Sequence, residues 1–237
     1  MSHPRGRPKD GALPLGGTAR SDKGAQLSSD AHHEVVVRRL GQVDFQETWQ
    51  AMQDFNCTRT EETTDEIWLL EHPPTFTLGL AGKTEHLLRD VGVPLVKTDR
   101  GGQITYHGPG QLIAYLLLDL NRRRLSVREL VRRLEQAAIS LLSEYGIAAQ
   151  RLQGAPGVYV AGAKIAALGL RIRRGCSSHG LALNVDMDLS PYAVINPCGY
   201  PGMPVTQMRD LVPESDLVGV SARLLAQLRT HLGEDHE

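Results

Sequence analysis

From residue 34 onward, apolar positions along the chain either alternate or recur with helical spacing, and the switches between the two patterns mark out its elements. Glu34-Val-Val-Val-Arg-Arg-Leu predicts a first strand. Asp44 follows as a helix cap with Glu47 in the reciprocal position, and Phe45, Trp49 and Met52 are spaced along one face. Glu66–Glu71 predicts a strand that His72-Pro73-Pro74 must end, and Thr75–Gly79 a second, closing in the small-residue loop Gly79–Gly82. Pro94–Thr98 predicts a short strand and Leu112–Leu120 a long apolar one. Ser126 and Glu129 form a second capping box. It opens a helix whose stripe is Val127, Leu130, Val131, Leu134, Ala138, Leu141, Leu142 and Tyr145, stopped by Gly146.

Alternation resumes at Val158–Val160, turns at Ala161-Gly162, runs on from Lys164 to Ile172, turns again over Arg174–Ser178 and returns from His179 to Val185. A closing helix is expected over Ser215–Leu232, with Leu217, Val218, Leu224, Leu225, Leu228 and Leu232 on one face. Together these elements predict a single α+β domain with a mixed, largely antiparallel sheet flanked by helices, over residues 32–237. Residues 1–31, rich in Gly, Pro, Ser and mixed charge and without periodicity, are expected to be a disordered tail.

Composition narrows the function. The 237 residues include 26 basic and 27 acidic side chains, so the net charge of −1 disfavours non-specific nucleic-acid binding. No apolar run reaches the ~18 residues that a bilayer span requires. Three cysteines, Cys57, Cys176 and Cys198, form no Cys-x-x-Cys pair, which points to a reducing cytoplasm.

The candidate chemistry gathers around Asn196-Pro197-Cys198-Gly199. Proline fixes φ before the thiol and glycine frees it after, so Cys198 sits in a forced turn. Alone, such a cysteine reads as a small buried hydrophobe. As a nucleophile it needs a cationic or basic neighbour, because a thiol with a pKa of about 8.5 is only a few per cent ionised at neutral pH. Lys164, His107 and His179 are the candidates. Lys164 stands among the small and apolar residues Gly162–Gly169. It can be a solvated hairpin lysine, or a desolvated amine able to take a proton from sulfur and return it to a leaving group. No phosphate-cradling motif occurs, and His107 and His179 lack a third ligand at metal spacing, so neither metal nor cofactor is assigned.

Four segments, Arg100–Gln111, Ala163–Arg171, His179–Val185 and Ile195–Gly199, together resemble the lipoyl(octanoyl) transferase family, over about residues 34–208. The resemblance implies a fold like the catalytic domain of biotin and lipoate protein ligases. It also implies an acyltransferase of protein lipoylation that moves an octanoyl or lipoyl group from acyl carrier protein to a lysine of lipoyl domains. Those domains belong to 2-oxoacid dehydrogenase complexes and the glycine cleavage H protein. It makes Cys198 the acyl-thioester nucleophile and Lys164 its partner. Arg100, Gly101, Gly102, Gln103, Ile104, Thr105, Tyr106 and His107 would line the acyl site, joined by Ala167, Leu168 and Gly169 and by Gly180, Leu181 and Ala182. Gly169, Gly180 and Ala182 would leave room for the acyl chain. Cys176 is expected to be a hairpin cysteine. Leu80 and Ser178 depart from residues common in the family.

Two alternatives remain at this stage: an ATP-dependent lipoate–protein ligase on the same fold, and a non-catalytic acyl-binding module. A further expectation is that Arg122, Arg123, Arg124, Arg128, Arg132 and Arg133 form either a solvated face or a dock for an acidic carrier protein.

Overall fold

The computed structural model describes residues 35–196 and 202–233. The tail expected over 1–31 and the Cys198 turn both lie outside them.

A seven-stranded sheet forms the frame. Its strands are β1 (Val35–Gln42), β2 (Asp65–Glu71), β6 (Gln111–Leu117), β7 (Gln150–Leu152), β8 (Ala155–Val160), β9 (Ala163–Arg173) and β10 (Cys176–Asn184), in the order β1-β2-β6-β10-β9-β8-β7. Only β1 and β2 pair in parallel; the other five pairings are antiparallel. A smaller sheet sets β3 (Thr75–Leu78) between β4 (Leu95–Lys97), parallel to it, and β5 (Ile104–His107), antiparallel. The mixed, largely antiparallel α+β architecture is therefore present.

Among the described residues, three α-helices cover the large sheet. Helix α1 (Phe45–Thr58) begins where Asp44 accepts from the backbone N–H groups of Gln46 and Glu47. Helix α2 (Val127–Glu144) begins where Ser126 accepts from the N–H of Glu129. Helix α3 (Leu217–Leu232) ends at Gly233, which adopts the left-handed conformation at φ 80°. Helices α2 and α3 bury Leu130, Leu134, Leu141, Leu224 and Leu228 against Ile67, Leu69, Ala114, Leu116 and Leu183 on one face of the sheet. The alternate residues Trp68, Leu70, Ile113, Tyr115 and Ala182 pack on the other face with Met52 of α1. A third cluster, Phe76, Ile104, Tyr106, Tyr192 and Val194, forms the core of the small sheet.

Several expectations need correction: Val127, placed in the apolar stripe of α2, is 45% exposed, and Cys176–Ser178, placed in a turn, already belong to β10. The segment before Leu112 contains a strand, β5, that glycines and polar residues concealed. The apolar run after it leaves the regular ladder at Leu117, three residues early, because Leu118 and Leu120 bond instead to Ser177 at the start of β10 and to Gly175 just before it. Val218 is 80% exposed on α3; Val220 takes its place in the core.

Candidate active site

A cavity lies on the α1 side of the large sheet, against the small sheet. The space between its walls, open solvent at its mouth included, is about 770 Å³. Two lengths of strand form one wall: Ala167–Gly169 of β9 faces Gly180–Ala182 of β10, with Gly169 paired to Gly180 and Ala167 to Ala182. Ile113 and Tyr115 of β6 continue it, and Phe45 of α1 closes over it. The segment 100–107 supplies the facing wall through Arg100, Gly102, Gln103, Ile104, Thr105 and His107.

Two residues expected in that wall are elsewhere. Tyr106 does not line the cavity; its ring packs against Phe76 and Tyr192 in the core of the small sheet. Gly101 contributes its backbone, donating its N–H to Leu170 O at 2.9 Å and so tying the loop to β9. Arg100, 7% exposed, donates to Thr77 O, Thr77 Oγ1, Gly101 O and Gln103 O, and so fixes the shape of the loop. Gly180 lines the cavity wall, and a second constraint also asks for glycine there. A Cβ there would meet Ala114 O at 2.2 Å, so the close approach of β6 requires glycine, whatever fills the cavity.

Lys164 reaches the cavity from the start of β9 and is 5% exposed, its Nζ 5.3 Å from the centre of the Tyr159 ring. Its backbone N–H donates to Pro204 O, and its carbonyl accepts from the N–H of Thr206. Residues 204–206, which come shortly after Cys198 in the sequence, are therefore bonded directly to the lysine. Asn196, the last described residue before Cys198, donates its N–H to His86 O. Cys198 itself lies outside the described residues. Cys176 opens β10 in the hairpin as expected, and Cys57 is exposed at the end of α1.

Polar residues behind the walls form two relays. His107 Nδ1 lies 2.7 Å from Gln111 Oε1, so that nitrogen carries the proton. Gln111 Nε2 donates to Asn184 Oδ1, and Asn184 Nδ2 donates to Thr206 O. His72 donates from Nδ1 to Val43 O, leaving Nε2 to accept from the Tyr115 hydroxyl at 2.8 Å. Burial pushes His107 down to about 3 and His72 to about 4, so both rings are neutral at pH 7, as these bonds require. The Tyr192 hydroxyl, also buried, is pushed up to about 12.

His179, one of the candidate neighbours for Cys198, has partners that the pattern does not signal. His179 Nε2 lies 3.0 Å from Asp99 Oδ1, which also accepts from Trp49 Nε1 at 2.8 Å. Burial lowers the His179 pKa while Asp99 opposes that shift. Among the described residues, no three His, Cys, Asp or Glu side chains are placed to hold a metal ion, and no helix is long and apolar enough to cross a membrane.

The six-arginine surface is only partly free. Arg122 and Arg123 turn inward with Arg59 onto the buried Asp65 carboxylate. Arg133 lies 3.2 Å from Glu129; Arg124, Arg128 and Arg132 are exposed. Leu80 is 63% exposed, away from the cavity wall, and Ser178 lines a separate small hollow beside Asp99.

Residues 45–229 match the family described as the lipoyl protein ligase A/B catalytic domain. The octanoyltransferase of Dechloromonas aromatica (strain RCB) is 70% identical over 175 residues, 74% of this chain and 85% of its own. That of Laribacter hongkongensis (strain HLHK9) is 59% identical over 202 residues, 85% of this chain and 98% of its own. Among solved structures, lipoate-protein ligase A bound with ATP superposes with a TM-score of 0.71 at 17% identity, covering 86% of this chain and 87% of that one. Biotin protein ligase from Aquifex aeolicus, in complex with biotin and ATP, gives 0.54 at 13% identity, covering 84% and 71%. At such identities these two likenesses concern the fold.

Proposed function

The chain belongs to the lipoyl protein ligase A/B catalytic family and is an acyltransferase of its octanoyltransferase group; from that premise we propose that the acyl group crosses from donor to acceptor by way of a thioester on Cys198. The donor is an octanoyl (or lipoyl) acyl carrier protein, and the acceptor is one lysine of a lipoyl domain, on a 2-oxoacid dehydrogenase complex or the glycine cleavage H protein. The reaction takes place in the cytoplasm.

The Lys164 amine takes the Cys198 proton, and the thiolate attacks the donor's carbonyl carbon. The donor's C–S bond breaks, and its sulfur leaves with the proton held on Lys164. The acceptor amine then attacks the acyl-cysteine, the S–C bond breaks, and the amine's proton passes through Lys164 to the Cys198 sulfur. Thioester exchange is close to neutral in free energy and amide formation runs downhill, so no nucleotide is consumed. The apolar walls bind the acyl tail at roughly 0.8 kcal/mol per buried methylene.

One observation carries this reading: Lys164 is buried on the wall of a largely apolar cavity, and its backbone is hydrogen-bonded to Pro204 and Thr206, a few residues after Cys198 in the sequence. The likeness in fold to a ligase that binds ATP favours a second reading, in which octanoate is first activated as an adenylate. Supplying the protein and a lipoyl domain with either octanoyl-carrier protein or octanoate plus ATP separates the two. Modification is expected with the carrier alone; modification only with octanoate plus ATP would establish the ligase.

A further inference from the structure

His179 is one of only four non-glycine residues with positive φ among the described residues, and it lies in the middle of a strand, at φ 59°. Such a conformation is costly for a side-chain-bearing residue and persists where the surroundings enforce it. The surroundings here are specific. Alternation along β10 would send His179 with Leu181 and Leu183 into the core beneath α2. The kink turns the ring to the other face, against Tyr115 at 5.8 Å between centres, and there it joins the cavity wall. Asp99 holds Nε2, and Asp99 is itself held by Trp49 of α1. The side chain is 2% exposed, bonded to Asp99 and packed edge-on against Tyr115 of β6.

Its position along the cavity is informative. His179 pairs with Leu170 of β9, six residues beyond Lys164, or ~20 Å at ~3.3 Å per residue. An extended octanoyl chain has seven C–C bonds, each advancing ~1.3 Å, for about 9 Å in all. The remaining length is taken up by the lysine side chain, the thioester and the imidazole ring.

We propose that His179, fixed by Asp99, is the end stop of the acyl cavity and sets its chain-length preference. This rests on the acyl-transfer reading above. A flexible apolar side chain at that place could yield to a longer chain; a ring bonded to the half-buried Asp99 carboxylate cannot move aside without breaking that bond.

The test is a competition among hexanoyl, octanoyl, decanoyl and dodecanoyl carrier protein for acylation of the full-length protein, read as ratios of kcat/KM. His179→Gly suits the positive φ and removes the ring; His179→Asn tolerates that φ and shortens the side chain. In His179→Gly the decanoyl-to-octanoyl ratio is expected to rise about tenfold over wild type, with a smaller rise in His179→Asn. Because the readout is a ratio, partial loss of folded protein does not alter it, and either variant suffices if the other does not fold. An unchanged ratio, or an equal fall for every chain length, would overturn the end-stop role. A wild-type protein acylated by none of the four would instead overturn the acyl-transfer reading.

Discussion

Lysine is among the side chains least often buried, yet Lys164 is enclosed between an aromatic ring and an apolar wall. Lys164→Met keeps the aliphatic volume and removes the amine. Single-turnover acylation is expected to slow by roughly 10²-fold or more, with the urea midpoint little changed; an unchanged rate would remove Lys164 from the proton path. Gly180 offers a contrasting test. Gly180→Ala drives a methyl into β6 and should cost about 1–3 kcal/mol in denaturant unfolding. The setting of Lys164 was legible in Gly162–Gly169, because small and apolar residues around a lysine form a local pattern. The cavity-facing turn of His179 was not, since a two-residue alternation carries no sign of a backbone kink that long-range partners hold in place.

At the scale of elements, caps and turns could be read and polar strands could not. Asp44 and Ser126 start their helices where their side chains were expected to accept. Ser126→Ala should lower stability by about 1 kcal/mol in a urea titration. Strand β5 escaped notice because Thr105 and His107 alternate with Ile104 and Tyr106 over only four residues after a glycine pair, too short a run to show a period. The arginines after β6 read as a surface run, yet two of them close on Asp65 at the start of β2 and so fasten the end of one central strand to the start of another. Asp65 is 1% exposed, so Asp65→Asn leaves Arg59, Arg122 and Arg123 facing one another. A loss of about 3–5 kcal/mol is expected by chemical denaturation. A shift of under 1 kcal/mol would show that the cluster is not a structural tie.

Over the whole molecule, the same burial that keeps His72 and His107 neutral makes the fold sensitive to acid. Their folded values, about 4 and about 3, lie below the ordinary 6.5, so on acidification the unfolded chain takes up protons first. Stability is therefore full above pH 6.5, declines as pH falls from there through about 4 and about 3, and stops changing on their account below that. Each ring contributes a slope of up to about 1.4 kcal/mol per pH unit. Urea midpoints at pH 7, 6, 5 and 4.5 should fall progressively, and the His72→Gln, His107→Gln double variant should flatten the curve. The fold class was legible as a whole because strand and helix periods recur through the chain, whereas the layering that stacks the 100–107 segment over β9 and β10 depends on contacts between distant residues.

The central claim is that acyl groups rest on one sulfur. Intact-mass spectrometry after mixing the protein with octanoyl-carrier protein tests it most directly, with the adduct mapped to a peptide. The account predicts a single octanoyl adduct on the peptide containing Cys198, discharged by a lipoyl domain, retained in Cys176→Ser and absent in Cys198→Ser. An adduct that maps elsewhere, or transfer at the wild-type rate by Cys198→Ser, would contradict it.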